Sequence, residues 1–289
     1  MARRIPADRL VQGGCSWNGV TPDYINGIDS LIGQATTVVV CLGEFSGLIG
    51  EGVSTASLTL PEEQLQLLEA VYAIGRKTVV VLFNGRPLVL DRVLSHCDAL
   101  LEAWYPGTMG GEAVAALLLG ERNPSGKLVQ IFPRHVGQVP IAYNARRTFA
   151  RVNHSDLPTG PQFPFGYGLT YTSLHYDPLV VDRIEYVEGD TVRVSVRVHN
   201  TGLRPCREVV QLYLRDEVAS VIPREKELRA YRVVPLEAGE SRRVEFELPS
   251  DAFKLYDGRY RYVLEPGKFT LLTGSHSEAL QGVDICFTR

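Results

Sequence analysis

The sequence lacks several features that would place it in a specialised class. No apolar run approaches the roughly 20 residues needed to cross a bilayer. The 289 residues carry a net charge of -3, and the basic residues are spread along the chain, whereas a nucleic-acid surface shows a basic stripe. We therefore expect neither a membrane nor a nucleic acid as a partner.

Cysteine and histidine are also sparse. The five cysteines are widely separated and no pair has CxxC spacing, so neither a zinc site nor a disulfide framework is predicted. The six histidines show no i, i+4 pair. We predict no metal and no cofactor. Cys41 and Cys97 lie in or beside apolar segments, which favours buried thiols.

The N-terminus gives no export signal. Residues 1–8 contain two arginines, but no apolar stretch follows them, so they do not form a signal peptide. The sequence as written predicts a cytoplasmic chain, although a lost N-terminus would hide any export signal.

The first half of the chain alternates between strand and helix patterns. Residues 36–42, 77–83 and 99–104 are apolar runs, and the first two are rich in β-branched residues typical of buried parallel strands. Residues 61–75, 88–94 and 112–119 are predicted helices. This alternation predicts an α/β domain, a parallel sheet with flanking helices, over residues 1–145.

The second half has a period of two. Val192, Val194, Val196 and Val198 alternate with polar residues, and further strands are predicted at 208–214, 244–248 and 269–273. This pattern predicts an all-β domain, an immunoglobulin-like or fibronectin-III-like sandwich, over residues 179–289. The connector, residues 146–178, has an aromatic core at 163–171 that we expect to pack against a domain, because exposing so many rings is unfavourable.

The loop after the first strand is the best candidate for chemistry. Residues 43–55 hold four glycines and two carboxylates, and ligands of open parallel sheets bind beyond the carboxyl ends of the strands. Glycines on both sides of Glu51 permit a protruding turn that could reach a neighbouring cleft. Spacing alone favours a solvated glutamate on a flexible surface loop. No GxGxxG or GxSxG is present here, so phosphate binding and serine hydrolysis are not indicated.

Six ordered motifs carry a family resemblance. They are FNGRPL (83–88), EAWYPG (102–107), GGEA (110–113), GERNPSGKL (120–128), FP (132–133) and FPFGYGLTYT (163–172). The first five resemble the second domain of family 3 glycoside hydrolases. The sixth resembles the same family's connector into a fibronectin-III-like domain.

The resemblance implies an architecture and a site. The family has a (β/α)8 barrel carrying an aspartate nucleophile, then an α/β sandwich, and often a fibronectin-III-like domain. In its β-glucosidase members the acid/base is a glutamate in a Gly-Glu-Gly-like context, which Glu51 matches. Glu44 matches a strand-end position that we interpret as structural. The implied substrates are β-linked glucosides or short oligosaccharides.

The sequence departs from the family pattern at three places. About 35 residues precede the first strand, far fewer than the roughly 200 of a barrel. The pair Ser155–Asp156 lies in the connector, so we give it no weight as a nucleophile. Residues 54–57 lack the charged residues that often follow the acid/base.

We therefore expect a fragment or subunit that supplies the acid/base half of a retaining β-glucosidase site. A separate barrel domain would be its partner, and the chain alone would be inactive. Trp104, Phe165 and Tyr167 are weak candidates for sugar contacts, and packing is the favoured role of each. The family is often periplasmic or secreted, so the localisation stays open.

The alternative is a non-catalytic module, derived from such an enzyme, that binds carbohydrate or another protein. An adjacent reading frame encoding a barrel would favour the enzyme interpretation.

Overall fold

The computed structural model describes residues 4–14, 20–147 and 155–289. Cys15 and part of the predicted connector lie outside these ranges. The chain divides into two compact units, one formed by residues 1–121 with 132–139 and the other by residues 122–131 with 140–289. The domain boundaries expected from sequence stay predictions.

The first unit contains a three-stranded parallel sheet, as the sequence predicts. Its strands are β1 (Thr37–Gly43), β2 (Lys77–Phe83) and β3 (Ala99–Glu102), in that spatial order. Its helices are α1 (Pro22–Asn26), α2 (Ile28–Ile32), α3 (Glu62–Ala73), α4 (Asp91–Leu94) and α5 (Gly110–Leu118), and short 3-10 turns cover Ala7–Arg9 and Val136–Gln138.

The core of this unit forms where β2 meets α3. Val80, Val81 and Leu82 of β2 and Leu68 of α3 have no exposed surface. The helix α3 starts after Pro61 with two glutamates in its first turn, a favourable arrangement at a helix N-terminus. Gly75, at φ +76°, follows the helix and adopts a conformation that only glycine reaches without strain.

Three sequence expectations for this unit are corrected. Cys41 is exposed and Cys97 is half-buried, so the prediction of buried thiols is wrong. Along β1, Val40 and Leu42 are buried while Cys41 between them is exposed, which shows that this strand is covered mainly on one face. The strand predicted over 99–104 ends at Glu102, and the helix predicted over 88–94 is reduced to α4.

The second unit is a β-sandwich, again as the sequence predicts. One sheet contains β4 (Leu174–Tyr176), β5 (Val180–Val181), β7 (Thr191–Asn200) and β10 (Ser241–Pro249). The other contains β6 (Glu185–Tyr186), β8 (Cys206–Asp216), β9 (Glu227–Leu236), β13 (Gly267–His276) and β14 (Ala279–Phe287). A 3-10 turn (Ser250–Phe253) and the hairpin of β11 (Leu255–Tyr256) with β12 (Tyr262–Val263) complete it.

The alternation along β7 fills the sandwich core. All four valines predicted to face inward are at most 2% exposed, and Arg193 and Arg197 face outward. They meet Phe246, Phe269 and other apolar side chains of both sheets in one cluster. A run of alternating β-branched residues forms a strand of this kind because one pleated face is buried.

The aromatic segment packs within the second unit. Phe165 stacks on Tyr143, with ring centroids 4.2 Å apart, and approaches Tyr213 edge-on. A buried polar contact holds the nearby segment 122–131: Lys127 Nζ lies 3.1 Å from Glu208 Oε1. The segment is therefore part of the sandwich unit rather than a free linker.

Among the described residues, no helix is long and apolar enough to cross a membrane.

Candidate active site at the carboxyl edge of the parallel sheet

The three parallel strands bring three polar side chains to one edge of the sheet. Glu44 follows β1, Asn84 follows β2, and Glu102 is the last residue of β3. Because the strands are parallel and in register, these residues lie at the same carboxyl edge. This is the edge at which open parallel sheets bind ligands.

Glu44 is tied into the scaffold. Its carboxylate accepts a hydrogen bond from Gly85 N at 3.0 Å and pairs with Arg86 Nε at 3.0 Å, and its side chain is only 3% exposed. Arg86 also donates to Leu48 O at 2.6 Å. Glu44 therefore links the end of β1, the turn after β2 and the following loop, which fits the structural role assigned to it from sequence.

Replacing Glu44 should destabilise this unit strongly. In Glu44→Ala, the guanidinium of Arg86 and the N–H of Gly85 lose their partner, and breaking a buried pair costs about 3–5 kcal/mol. Chemical denaturation measures the free energy of unfolding. Lys77→Ala is the matched control, because its pair with Asp98 is solvent-exposed and should contribute under about 1 kcal/mol. Equal losses in the two variants would contradict the structural role of Glu44.

Glu51 occupies the tip of a tight turn. Val53 N donates to Gly50 O at 3.2 Å, which closes a four-residue turn with Glu51 in its second position. Gly50 and Gly52 have φ values of +118° and +77°. A positive φ at the third position is typical of a type II turn and requires glycine there. The glycines on both sides of Glu51 therefore allow the backbone conformation of this turn. The carboxylate of Glu51 is exposed to solvent.

A cavity of about 530 Å³ lies beside the loop that carries this turn. Phe45 and Leu48 line it from the segment before Glu51, and Thr55, Ser57 and Thr59 line it from the segment after. Thr55 Oγ1 donates to Ser57 O, and the hydroxyls of Ser57 and Thr59 are 2.8 Å apart. The hydroxyls of this stretch therefore bond within the loop.

Glu102 and Trp104 form a strained turn at the end of β3. Trp104 has φ +48°, a left-handed conformation that costs a bulky residue of order 1–3 kcal/mol. Its N–H donates to Glu102 Oε1 at 2.9 Å, and its ring packs against Phe132 with centroids 5.6 Å apart. Burial raises the pKa of the Glu102 carboxyl to about 7, although the Trp104 N–H opposes this shift.

The other residues proposed from sequence are divided between the two units. Trp104 belongs to the first unit, whereas Phe165 and Tyr167 belong to the second. There Phe165 stacks on Tyr143, and Tyr167 contacts Phe163 and His276. Each ring thus has a packing role, and sugar contacts by these residues stay predictions. Within the described ranges, no group of histidine, cysteine, aspartate and glutamate side chains could hold a metal.

Sequence reasoning missed Asn84 and Glu102. Their types and positions were visible, since a carboxylate and an amide each stand at the end of an apolar parallel strand. The burial of the Asn84 side chain and of Glu102 Oε2 was not visible. Asn84 has no exposed surface, although it stands directly before a glycine in what reads as a turn.

Comparison with protein families gives two matches. The model of the glycosyl hydrolase family 3 C-terminal domain matches residues 22–171. The model of the fibronectin type III-like domain matches residues 208–277. The first range covers the parallel-sheet unit from α1 onward and continues into residues of the second unit, and the second range lies in the sandwich.

Known proteins agree with the family matches. A periplasmic β-glucosidase of Salmonella typhimurium is 38% identical over 254 residues, covering 84% of this chain and 33% of the relative. A β-xylosidase of Formosa agariphila is 37% identical over 271 residues, covering 92% of this chain and 37% of the relative. The chain thus spans about a third of the length of these relatives.

Solved structures share the fold. The crystal structure of a β-glucosidase from Listeria innocua in complex with glucose superposes with a TM-score of 0.89 at 36% identity. It covers 93% of this chain, and this chain covers 39% of it. A β-glucosidase from Erythrobacter marinus superposes equally well, with a TM-score of 0.89 at 37% identity.

Proposed function

Because the chain belongs to the glycosyl hydrolase family 3 C-terminal domain family and continues into a fibronectin type III-like domain, we propose that it supplies the acid/base half of a retaining β-glucosidase active site. Glu51 is the acid/base in this proposal. The observation that carries it is the Gly50–Glu51–Gly52 turn, which holds a carboxylate at the tip of a loop beyond the carboxyl edge of the sheet.

Retaining hydrolysis needs two carboxyl groups about 5–5.5 Å apart. One attacks the anomeric carbon and displaces the leaving group, which forms a covalent glycosyl intermediate. The other protonates the departing oxygen and then removes a proton from the water that releases the sugar. Glu51 is exposed to solvent in this chain. We assign the nucleophile to a barrel domain.

The barrel is therefore the expected partner, as a further domain or a separate subunit. The proposed substrates are β-linked glucosides or short oligosaccharides. Two structures of one neighbour support this choice, since the Listeria innocua enzyme has been crystallised with glucose and, as a mutant, with laminaribiose. The β-xylosidase relative makes xylosides the competing substrate class to test.

The first test is activity with and without a barrel. The 289-residue chain alone should not hydrolyse an aryl β-glucoside measurably, because one carboxylate can neither form nor resolve the intermediate. Adding the cognate barrel domain, in trans or by fusion, should bring turnover toward the roughly 10 s⁻¹ of a typical enzyme. Turnover of that size by the chain alone would show a second catalytic carboxylate here and would overturn the proposed half-site.

The competing function is a non-catalytic module that binds carbohydrate or protein. It predicts that the chain binds an oligosaccharide or a partner without a barrel and that no barrel restores hydrolysis. Calorimetric titration with a β-linked disaccharide, run beside the activity assay, separates the two functions.

A further inference from the structure

A second cavity, of about 310 Å³, is formed entirely by residues of the sandwich unit. Phe253 and Phe269 line it from the sandwich core, where their rings meet edge to face with centroids 5.4 Å apart. Its size is at the lower end of the range for small-molecule sites, which combine apolar walls with a few polar groups. The proposed hydrolysis makes no use of this cavity.

An acidic side chain reaches the core face of the sheet at this cavity. Asp216 follows the buried Leu214 by two residues on β8 and pairs across the ladder with the buried Phe269, so its side chain lies on the core face. Asp216 also lines the cavity. Burial raises the pKa of its carboxyl to about 6, and the Val218 N–H donates a hydrogen bond to it. A carboxylate offers about four lone-pair sites, so it can accept further hydrogen bonds.

Two tyrosines form the aromatic wall of the cavity. Tyr256 of β11 and Tyr262 of β12 are paired across their hairpin, with ring centroids 5.0 Å apart, and both line the cavity. They are nevertheless 65% and 51% exposed. Exposed aromatic surface that continues into a cavity is typical of a ligand-binding groove.

The hairpin that carries these rings is fixed by its own hydrogen bonds. The Asp257 carboxylate accepts from Arg259 N, Arg261 N and Arg261 Nε at 2.8–3.0 Å. The Tyr262 hydroxyl donates to Asp251 O at 3.0 Å. The rings are therefore positioned before a ligand arrives, which lowers the entropic cost of binding.

The charges around the cavity favour a neutral ligand. Four cationic side chains line it and oppose a cationic ligand: Arg146, Arg224, Arg229 and Lys254. Each of them already has a partner, since the arginines bond to a backbone carbonyl or to Glu227 and the lysine pairs with two carboxylates. An anion would have to compete with these partners.

A neutral sugar has the complementary chemistry. The C–H face of a pyranose ring packs on aromatic side chains, and its hydroxyls donate to carboxylates. We propose that the sandwich carries a binding site for a neutral oligosaccharide at this cavity, in which Tyr256 and Tyr262 pack against a sugar ring and Asp216 accepts a hydrogen bond from a sugar hydroxyl.

This site is independent of the proposed hydrolysis. It lies in the sandwich unit, whereas the Glu51 turn lies in the parallel-sheet unit. Sugar binding here does not by itself favour the non-catalytic module, because hydrolysis restored by a barrel domain would still identify an enzyme.

Saturation-transfer NMR on the 289-residue chain tests the site with cellotetraose, xylotetraose and maltotetraose. A cavity that holds about one sugar ring predicts weak binding, with a dissociation constant on the order of 1 mM for at least one of them. Tyr256→Ala and Tyr262→Ala should each weaken that binding about tenfold, because each removes one ring from the wall. Tyr262→Phe keeps the ring and should bind within about twofold of the parent.

Two further variants make the test specific. Asp216→Asn keeps the size of the side chain but removes its charge, so binding should weaken about fivefold. Tyr231→Ala is the matched control, because Tyr231 is also exposed, at 58%, but lies on β9 away from the residues that line the cavity. It should bind as the parent does.

Three results would overturn the proposal. The first is no saturation transfer to any of the three sugars at about 10 mM, tenfold above the expected dissociation constant. The second is equal affinity of the parent, Tyr256→Ala and Tyr262→Ala, which would place the sugar elsewhere on the chain. The third is binding of inorganic phosphate, followed by phosphorus NMR, that is tighter than that of the sugars and is lost in the tyrosine variants, which would show an anion site.

Discussion

Glu51→Ala should lower hydrolysis of alkyl and disaccharide β-glucosides by about 10²–10⁴-fold in a complex of this chain with the proposed barrel domain. An alcohol cannot leave efficiently without a proton donor, and the Gly50–Glu51–Gly52 turn holds the proposed donor. An activated aryl group needs little protonation, so formation of the glycosyl intermediate should survive better with that substrate. The intermediate should then accumulate, because water still needs a base.

Azide makes this prediction specific. Azide needs no general base, so it should restore turnover of the aryl glucoside by Glu51→Ala and yield a β-glycosyl azide. Glu112→Ala, on an exposed face of α5, is the matched control and should need no azide. Glu44→Ala should lose activity through stability and show no rescue. If azide instead rescues Glu44→Ala while Glu51→Ala is near neutral, the acid/base assignment moves to Glu44; if neither is rescued, the loop is not catalytic.

Gly43→Ala should destabilise the sheet unit by about 3–5 kcal/mol. A Cβ at this position would stand 1.9 Å from Phe83 O, a backbone atom of the adjacent strand that cannot swing away. The residue is also fixed from its other side, since Gln64 bonds both Gly43 N and Gly43 O at 2.9 Å. The end of β1 would have to separate from β2, and Glu44 with the loop behind it would lose its anchor.

Urea unfolding measures this loss, followed by tryptophan fluorescence in a Trp17→Phe background in which Trp104 is the only tryptophan. Gly111→Ala is the matched control, because a Cβ there meets nothing within 4 Å and the site lies in α5. Alanine in place of glycine should stabilise that helix by up to about 1 kcal/mol. A Gly43→Ala protein as stable as the parent would show that the β1–β2 pairing is looser than the register indicates.

Sequence reasoning missed strands that show neither a continuous apolar run nor a strict alternation of apolar and polar residues. The strands β9 and β14 were not predicted. The strand β9 contains charged residues and Pro235, which weaken a strand signal, and it is stabilised by antiparallel pairing with β8. Pairing of this kind joins residues far apart in sequence, so the local pattern does not reveal it.

The candidate site likewise has features that the sequence determined and features that it did not. The sequence by itself determined the two fold types, because β-branched runs and strict alternation reflect how many faces of a strand are buried. It also determined the turn at Glu51, because the positive φ values at Gly50 and Gly52 need glycine whatever surrounds them. Local chemistry was sufficient for these features.

Only the tertiary structure decided the roles of Asn84 and Glu102, and only it showed which groups hold Glu44. Each is a polar residue at a strand end, where the sequence alone does not show whether the side chain is buried. Parallel pairing brings them to one edge, where Glu44 pairs with Arg86 and where the Asn84 side chain and Glu102 Oε2 lose access to water. Desolvation and hydrogen-bond partners set the protonation of a carboxyl, and both depend on residues tens of positions away along the chain.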